Sequence, residues 1–311
     1  MASPMRVAHN GAMPPDHPLF PGFRHERLRG NGTEIDAVIG GKGPALLLLH
    51  GYPQTHAIWH KVAPRLAQRF TVVATDLRGY GDSAKPATTA DHAPYSKREM
   101  ARDQVEAMRA LGFARFFLVG HDRGARVAHR LVADHPQSVE RAAFLDIAPT
   151  LAMYEQTTQA FATAYWHWFF LIQPAPFPET LIGTDAMAYL RKKMGSGSAG
   201  LAPFTAEAWN EYVRCFTPEV IHASCEDYRA AATIDLEHDR ADRDAGHRIG
   251  VPLLVLWGAH GVIERCFRPL EDWKRVADDV RGHALPAGHY LAEEAPELVS
   301  AELEAFFESQ A

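Results

Sequence analysis

The chain has 311 residues, 47% apolar and 23% charged, enough apolar material for a large buried core. With 38 acidic against 32 basic residues the formal charge is −6, so nucleic acid or an anionic membrane finds no basic field and any anion must be recognised locally. Three cysteines, Cys215, Cys225 and Cys266, are an odd number in a chain too long to need disulfide staples, so reduced thiols and a cytoplasmic location are expected.

In chain order, MASPMRVAHNGAMPPDHPLF (1–20) has no charged n-region leading into an apolar run, and no later stretch reaches the roughly 20 apolar residues of a membrane span. Neither export nor membrane insertion is expected. ALLLLHG (45–51), TVVATDL (71–77), FFLVGHD (116–122), RAAFLDIA (141–148) and VPLLVLWG (251–258) are short, near-continuous apolar runs, the pattern of parallel strands buried on both faces. Helical patterns lie between them: IWHKVAPRLAQRF (58–70), SKREMARDQVEAMRALG (96–112), and GARVAHRLVADHP (124–136), which Pro136 ends. Strand and helix alternate, which predicts an α/β doubly wound, mostly parallel sheet.

The alternation stops after Pro149 and resumes near Gly250. Residues 150–245, rich in aromatics (YWHWFF) and prolines (QPAPFPE), are predicted to form a helical cap inserted between two parts of one core, 1–149 and 246–311. EHDRADRD (237–244) reads as a solvated connection back to that core.

Gly120, Asp122 and Gly124 form the pattern glycine, any, nucleophile, any, glycine at a strand-to-helix junction, where the central side chain is exposed over the sheet and the helix aims amides at it. The same aspartate equally suits a helix N-cap. HGYPQ (50–54) offers the backbone amide of Tyr52, and Asp122 is followed by that of Arg123, as an oxyanion hole. GHYLAEEAP (288–296) puts His289 after the last strand, where a general base is expected.

HGYPQ, GHDRG, the cap and GHYLAEE together resemble the α/β-hydrolase superfamily over nearly the whole chain. Many members carry the triad acid in a WGxxD context, but here that segment reads WGAHGVIE, so the acid is Glu264 or comes from elsewhere. Asp146, at the end of the strand next to that of Asp122, is the better choice, and that placement is similar to the dehalogenase branch.

Serine attacking a saturated carbon would leave an ether that histidine and water cannot cleave. Aspartate leaves an ester that they can. Asp122 therefore implies attack at an sp³ carbon, then hydrolysis by water activated by His289 with Asp146 orienting the imidazole. An alkyl halide and an epoxide both qualify. His167, Trp168 and Tyr228 would donate hydrogen bonds to a departing halide, or form no more than an apolar cap face, whereas a cap tyrosine such as Tyr165 in the pocket would suit an epoxide. Arg123 and Arg126, one and four residues past Asp122, can reach a carboxylate near it.

The whole set resembles the fluoroacetate dehalogenases. That resemblance implies carboxylate binding by Arg123 and Arg126, halide binding by His167, Trp168 and Tyr228, and a homodimer without cofactor. The expected reaction is hydrolysis of a short 2-haloacid, such as fluoroacetate or chloroacetate, to glycolate and halide. Epoxide hydrolysis and non-catalytic ligand binding on the same fold are the competing readings. GSGSAG (195–200) follows a helical segment instead of a strand, so no dinucleotide site is expected; His56 and His60 lack a third ligand, and no metal is expected.

Overall fold

The computed structural model describes residues 18–197 and 199–308. The predicted runs become β3 (Ala45–Leu49), β4 (Thr71–Thr75), β5 (Phe116–His121), β6 (Val139–Leu145) and β7 (Leu253–Gly258). Three further strands complete the sheet: β1 (Arg24–Arg29), β2 (Glu34–Gly40) and β8 (Val280–Leu285). The order is β1-β2-β4-β3-β5-β6-β7-β8. β1 and β2 join antiparallel, and every pairing from β4 to β8 is parallel. All residues of β3, β5 and β7 are buried, as expected of strands covered on both faces.

Helices α1 (Lys97–Ala110) and α2 (Arg123–Asp134) match the predicted segments. The segment 58–70 does not form one helix. It divides into a 3₁₀ turn, His56–Trp59, and a single turn, Ala63–Leu66, because Pro64 has no N–H to donate and is tolerated only at a helix start.

Between β6 and β7 the chain forms a helical insertion that includes α3 (Thr150–Glu155), α4 (Trp166–Leu171), α5 (Ala186–Gly195), α6 (Pro218–Ala232) and α7 (Ile234–Ala245). The run 237–244 is thus helical and tied down: Asp242 pairs with Arg130 of α2, and Asp235 accepts from the Lys97 amide at 2.9 Å. GSGSAG runs from the end of α5 into a loop, with Ser198 outside the described residues. Among the described residues no helix is long and apolar enough to cross a membrane, and all three cysteines are free thiols.

Candidate active site

Parallel strands end on one edge of the sheet, and the predicted triad gathers there. Asp122 follows β5 with φ 48° and ψ −114°, outside the regions L-residues favour; Asp146 follows β6 with φ 52°. Neighbouring strands hold both turns: the Asp122 amide donates to Leu145 O (3.2 Å) and the Asp146 amide to Leu256 O (2.8 Å). Close approach explains the adjacent glycines. A Cβ on Gly124 would lie 2.3 Å from His50 O, and one on Gly51 would lie 2.5 Å from the Asp122 Cβ. The β3 loop and the start of α2 are therefore in backbone contact, which brings the Tyr52 amide to Asp122 Oδ1 at 2.9 Å. Arg123, the other predicted oxyanion-hole residue, is the first residue of α2, where amides lack intrahelical partners.

His289 Nδ1 donates to Asp146 Oδ2 at 2.6 Å, and the Gly258 amide donates to Asp146 Oδ1 at 2.9 Å. His289 Nε2 stands 3.8 Å from Asp122 Oδ2, too far for a direct hydrogen bond. The histidine's backbone is pinned on both sides: its carbonyl accepts from His121 Nε2 (2.7 Å) and its amide donates to Gly197 O in the cap (3.3 Å). Burial pushes the His121 pKa down to about 3, so that ring is a neutral donor.

The alternative acid, Glu264, accepts from Trp257 Nε1 instead of joining the histidine. Gly261, in the place where an aspartate is often found, explains the exchange. A Cβ there would sit 3.4 Å from Asp146 Oδ1, an ordinary contact, so an aspartate at 261 would bring a second carboxylate up against Asp146 and be repelled by it.

Burial alone would raise the Asp122 carboxyl, but His289, Lys193 and Arg123 outweigh it and hold Asp122 well below the usual carboxylate range. It is an anion at any ordinary pH. Asp146 is buried as well, and burial raises its pKa against the opposing pull of the His289 bond.

The two arginines behave differently from one another. Arg123 is fully buried and already paired with Asp227, Nε to Oδ2 and Nη2 to Oδ1 both at 2.8 Å, while its guanidinium stacks on Tyr228 at 4.1 Å. Only its Nη1 is without a hydrogen bond among the described residues. Asp227, one residue before Tyr228, thus neutralises the first. Asp227 also accepts from Lys97 and from the Tyr80 hydroxyl (2.6 Å). Among the described residues Arg126 has no acidic partner. It donates to Thr150 Oγ1 (2.9 Å), Ala148 O (3.3 Å) and the Met153 sulfur (3.1 Å), leaves Nε unpaired among the described residues, and lies 4.6 Å over the Trp168 ring.

His167 and Trp168 on α4 and Tyr228 on α6 are all buried, with ring centroids 5.9 Å (His167 to Tyr228) and 6.4 Å (Trp168 to Tyr228) apart. Trp168 Nε1 and the Tyr228 hydroxyl have no hydrogen-bond partner among the described residues. An unmade buried hydrogen bond costs about 1–3 kcal/mol, so each of these donors would gain from an acceptor placed against it. Tyr165 is buried too, its hydroxyl 3.3 Å from His289 Nδ1. His56 does not combine with His60. Its Nδ1 bonds Asp76 at 2.8 Å, whereas His60 Nδ1 bonds Ala57 O at 2.9 Å.

A family model for the alpha/beta hydrolase fold matches residues 44–296. The chain belongs to the α/β-hydrolase family. This hydrolase is 46% identical to a fluoroacetate dehalogenase from Burkholderia sp over 90% of its own length and 92% of the relative's. It is 34% identical to a soluble epoxide hydrolase from Corynebacterium sp. strain C12, over 88% and 94% of the two chains. It also superposes with a TM-score of 0.91 on a crystal structure from Nostoc sp PCC 7120 assigned as an α/β hydrolase, at 55% identity, covering 93% of this chain and 99% of the other. The α/β hydrolase is thus related to both fluoroacetate dehalogenases and epoxide hydrolases.

Proposed function

We propose that this α/β hydrolase dehalogenates short 2-haloacids, such as chloroacetate or fluoroacetate, to glycolate and halide. The observation that carries the reading is Arg126, a buried guanidinium one helical turn past Asp122 without an acidic partner among the described residues, which calls for an anionic ligand. A haloacid supplies that anion; a neutral epoxide does not. The relationship to the fluoroacetate dehalogenase supports the same choice.

Asp122 Oδ2 attacks the halogen-bearing carbon and the C–X bond breaks, with the halide departing toward His167, Trp168 and Tyr228. Oδ1, already bonded to the Tyr52 amide, becomes the carbonyl oxygen of the ester. A water between His289 Nε2 and the ester carbon loses its proton to the imidazole and attacks. The tetrahedral intermediate collapses with cleavage of the bond between the Asp122 carbonyl carbon and the glycolate oxygen, that oxygen takes the proton from His289, and the second water proton leaves the Asp122 carboxyl to solvent, which restores the carboxylate. Asp146 orients the imidazole throughout, and Arg123 Nη1 and Arg126 bind the carboxylate. The reading carries with it a cytoplasmic homodimer without cofactor, built as one core interrupted by a cap over 150–245.

Epoxide opening is the second reading, favoured by Tyr165, whose buried hydroxyl lies beside His289 with Tyr228 in the same pocket. Halide release from fluoroacetate and chloroacetate, run beside diol formation from styrene oxide, separates the two. Halide and no diol is expected; diol alone would replace the proposal with its rival.

A further inference from the structure

Lys193 is a buried cation that the mechanism just described does not use. It shares the inward stripe of α5 with Leu190 and Met194 and is 6% exposed. Its ammonium lies 5.8 Å from the ring centroids of both Tyr52 and Tyr290, residues that adjoin the oxyanion amide and His289. Among the described residues it has no ion pair within 4.0 Å.

The surrounding groups leave it in that state. Tyr52 follows β3, and Tyr189 on α5 itself bonds the Tyr52 hydroxyl at 2.9 Å. His121 and Asp122 stand at the end of β5, His167 on α4 and Tyr290 after β8; Lys193 acts electrostatically on His121, Asp122 and His167. Of all these groups Asp122 is the only anion. Arg123, Lys97, Asp227 and Asp235 form a separate buried network in which two cations meet two anions. With Asp146 engaged by His289, what is left is Lys193, a buried ammonium without an ion pair among the described residues on the Tyr52 and Tyr290 side of Asp122. A small monoanion would give it the partner it lacks.

We propose that Lys193 is a further anion-binding cation of the site, reaching from the cap on the Tyr52 and Tyr290 side of Asp122 to hold a small monoanion, the substrate carboxylate or the departing halide. The identity of that anion rests on the haloacid reading; the buried lysine without an ion pair does not. Burial pushes the ammonium from its ordinary 10.5 down to about 8, with Asp122 opposing the shift. The cation is therefore present below about pH 8 and lost above it, and anion affinity follows in the same direction.

The test is calorimetric titration of glycolate and, separately, of bromide into the wild-type enzyme, Lys193→Met and Lys193→Arg, at about pH 6.5 and about pH 9.5. Wild type is expected to bind at least one ion on the order of tenfold more tightly at the lower pH. Lys193→Met should bind it weakly at both, and Lys193→Arg tightly at both. The responding ion tells which charge Lys193 holds. Wild-type affinity in Lys193→Met for both ions, or no binding of either ion to wild type, would overturn the proposal. Lys193→Met removes an unpaired buried charge and should unfold no earlier than wild type, so weak binding would not reflect misfolding. Lysine-dependent anion binding in an enzyme that releases no halide from chloroacetate would overturn the dehalogenation reading and leave Lys193 standing. Halide release with an unchanged KM in Lys193→Met would do the reverse.

Discussion

Asp227 shows how much of the site depends on a residue that touches none of the reacting groups. Its two oxygens hold Arg123 in a bidentate pair, and they also receive Lys97 and the Tyr80 hydroxyl. Burial would raise this carboxyl, but Arg123 and Lys97 keep it well below the usual range. Asp227→Asn preserves the shape and removes the charge, leaving two buried cations without it. A loss of about 3 kcal/mol is expected, as for other broken buried pairs, measured by urea denaturation. Unchanged stability would mean that the network is not the anchor we describe. The sequence offered no sign of this pair, because its partners lie 104 residues apart and CEDYRA reads as ordinary helix. Lys193 was legible in principle: Leu190, Lys193 and Met194 recur at the spacing of one helix face, so that the lysine sits on an apolar stripe.

At the scale of elements, the turn after β5 and the loop after β3 act as one unit through glycine contacts. Gly124→Ala would drive a methyl group against the His50 and Leu49 carbonyls, at 2.3 and 2.5 Å, and these are backbone atoms that cannot rotate away. A destabilisation of about 1–3 kcal/mol is expected from the overpacking, with a disproportionate fall in kcat as the Tyr52 amide leaves Asp122. Thermal unfolding and steady-state kinetics on the same variant check both, and an alanine variant with normal Tm and kcat would contradict the contact. The central strands were readable because burial on both faces makes them apolar throughout. β1 and β8 were not, since both lie at the sheet edges: RHERLR is polar at every position but Leu28, and VRGHAL alternates exposed and partly buried side chains. The triad acid was readable only as a choice, which the closeness of Gly261 to Asp146 explains.

The whole molecule carries several buried ionisable groups whose shifts couple stability to pH. His121 and His167 are buried neutral, with pKa values pushed below the ordinary 6.5, so the unfolded chain binds their protons first and stability falls as pH drops below that value. Asp76, Asp122 and Asp227 are held below the ordinary carboxylate range, so their contribution is complete above about pH 4 and lost in stronger acid. Asp103, raised to about 6, and Glu293, raised to about 7, act in the opposite sense. Asp36, Asp146 and Asp239 are raised as well, while His50 and His129 join the lowered histidines; the lowered groups remain the more numerous, and Tm is expected to begin falling below about pH 6.5 and to collapse below about pH 4. A Tm that stays level down to pH 4 would refute this balance. The cap is part of the same cooperative structure, since α3 supplies Thr150 and Met153 to Arg126 and α6 supplies Asp227 to Arg123.

The central claim is that Asp122 forms an ester with the substrate carbon and that His289 is needed only to hydrolyse it. Mass spectrometry of His289→Asn after incubation with chloroacetate tests this most directly. The account predicts one added carboxymethyl group, on the peptide that contains Asp122. A folded variant with unmodified mass, or one modified at another residue, would contradict it.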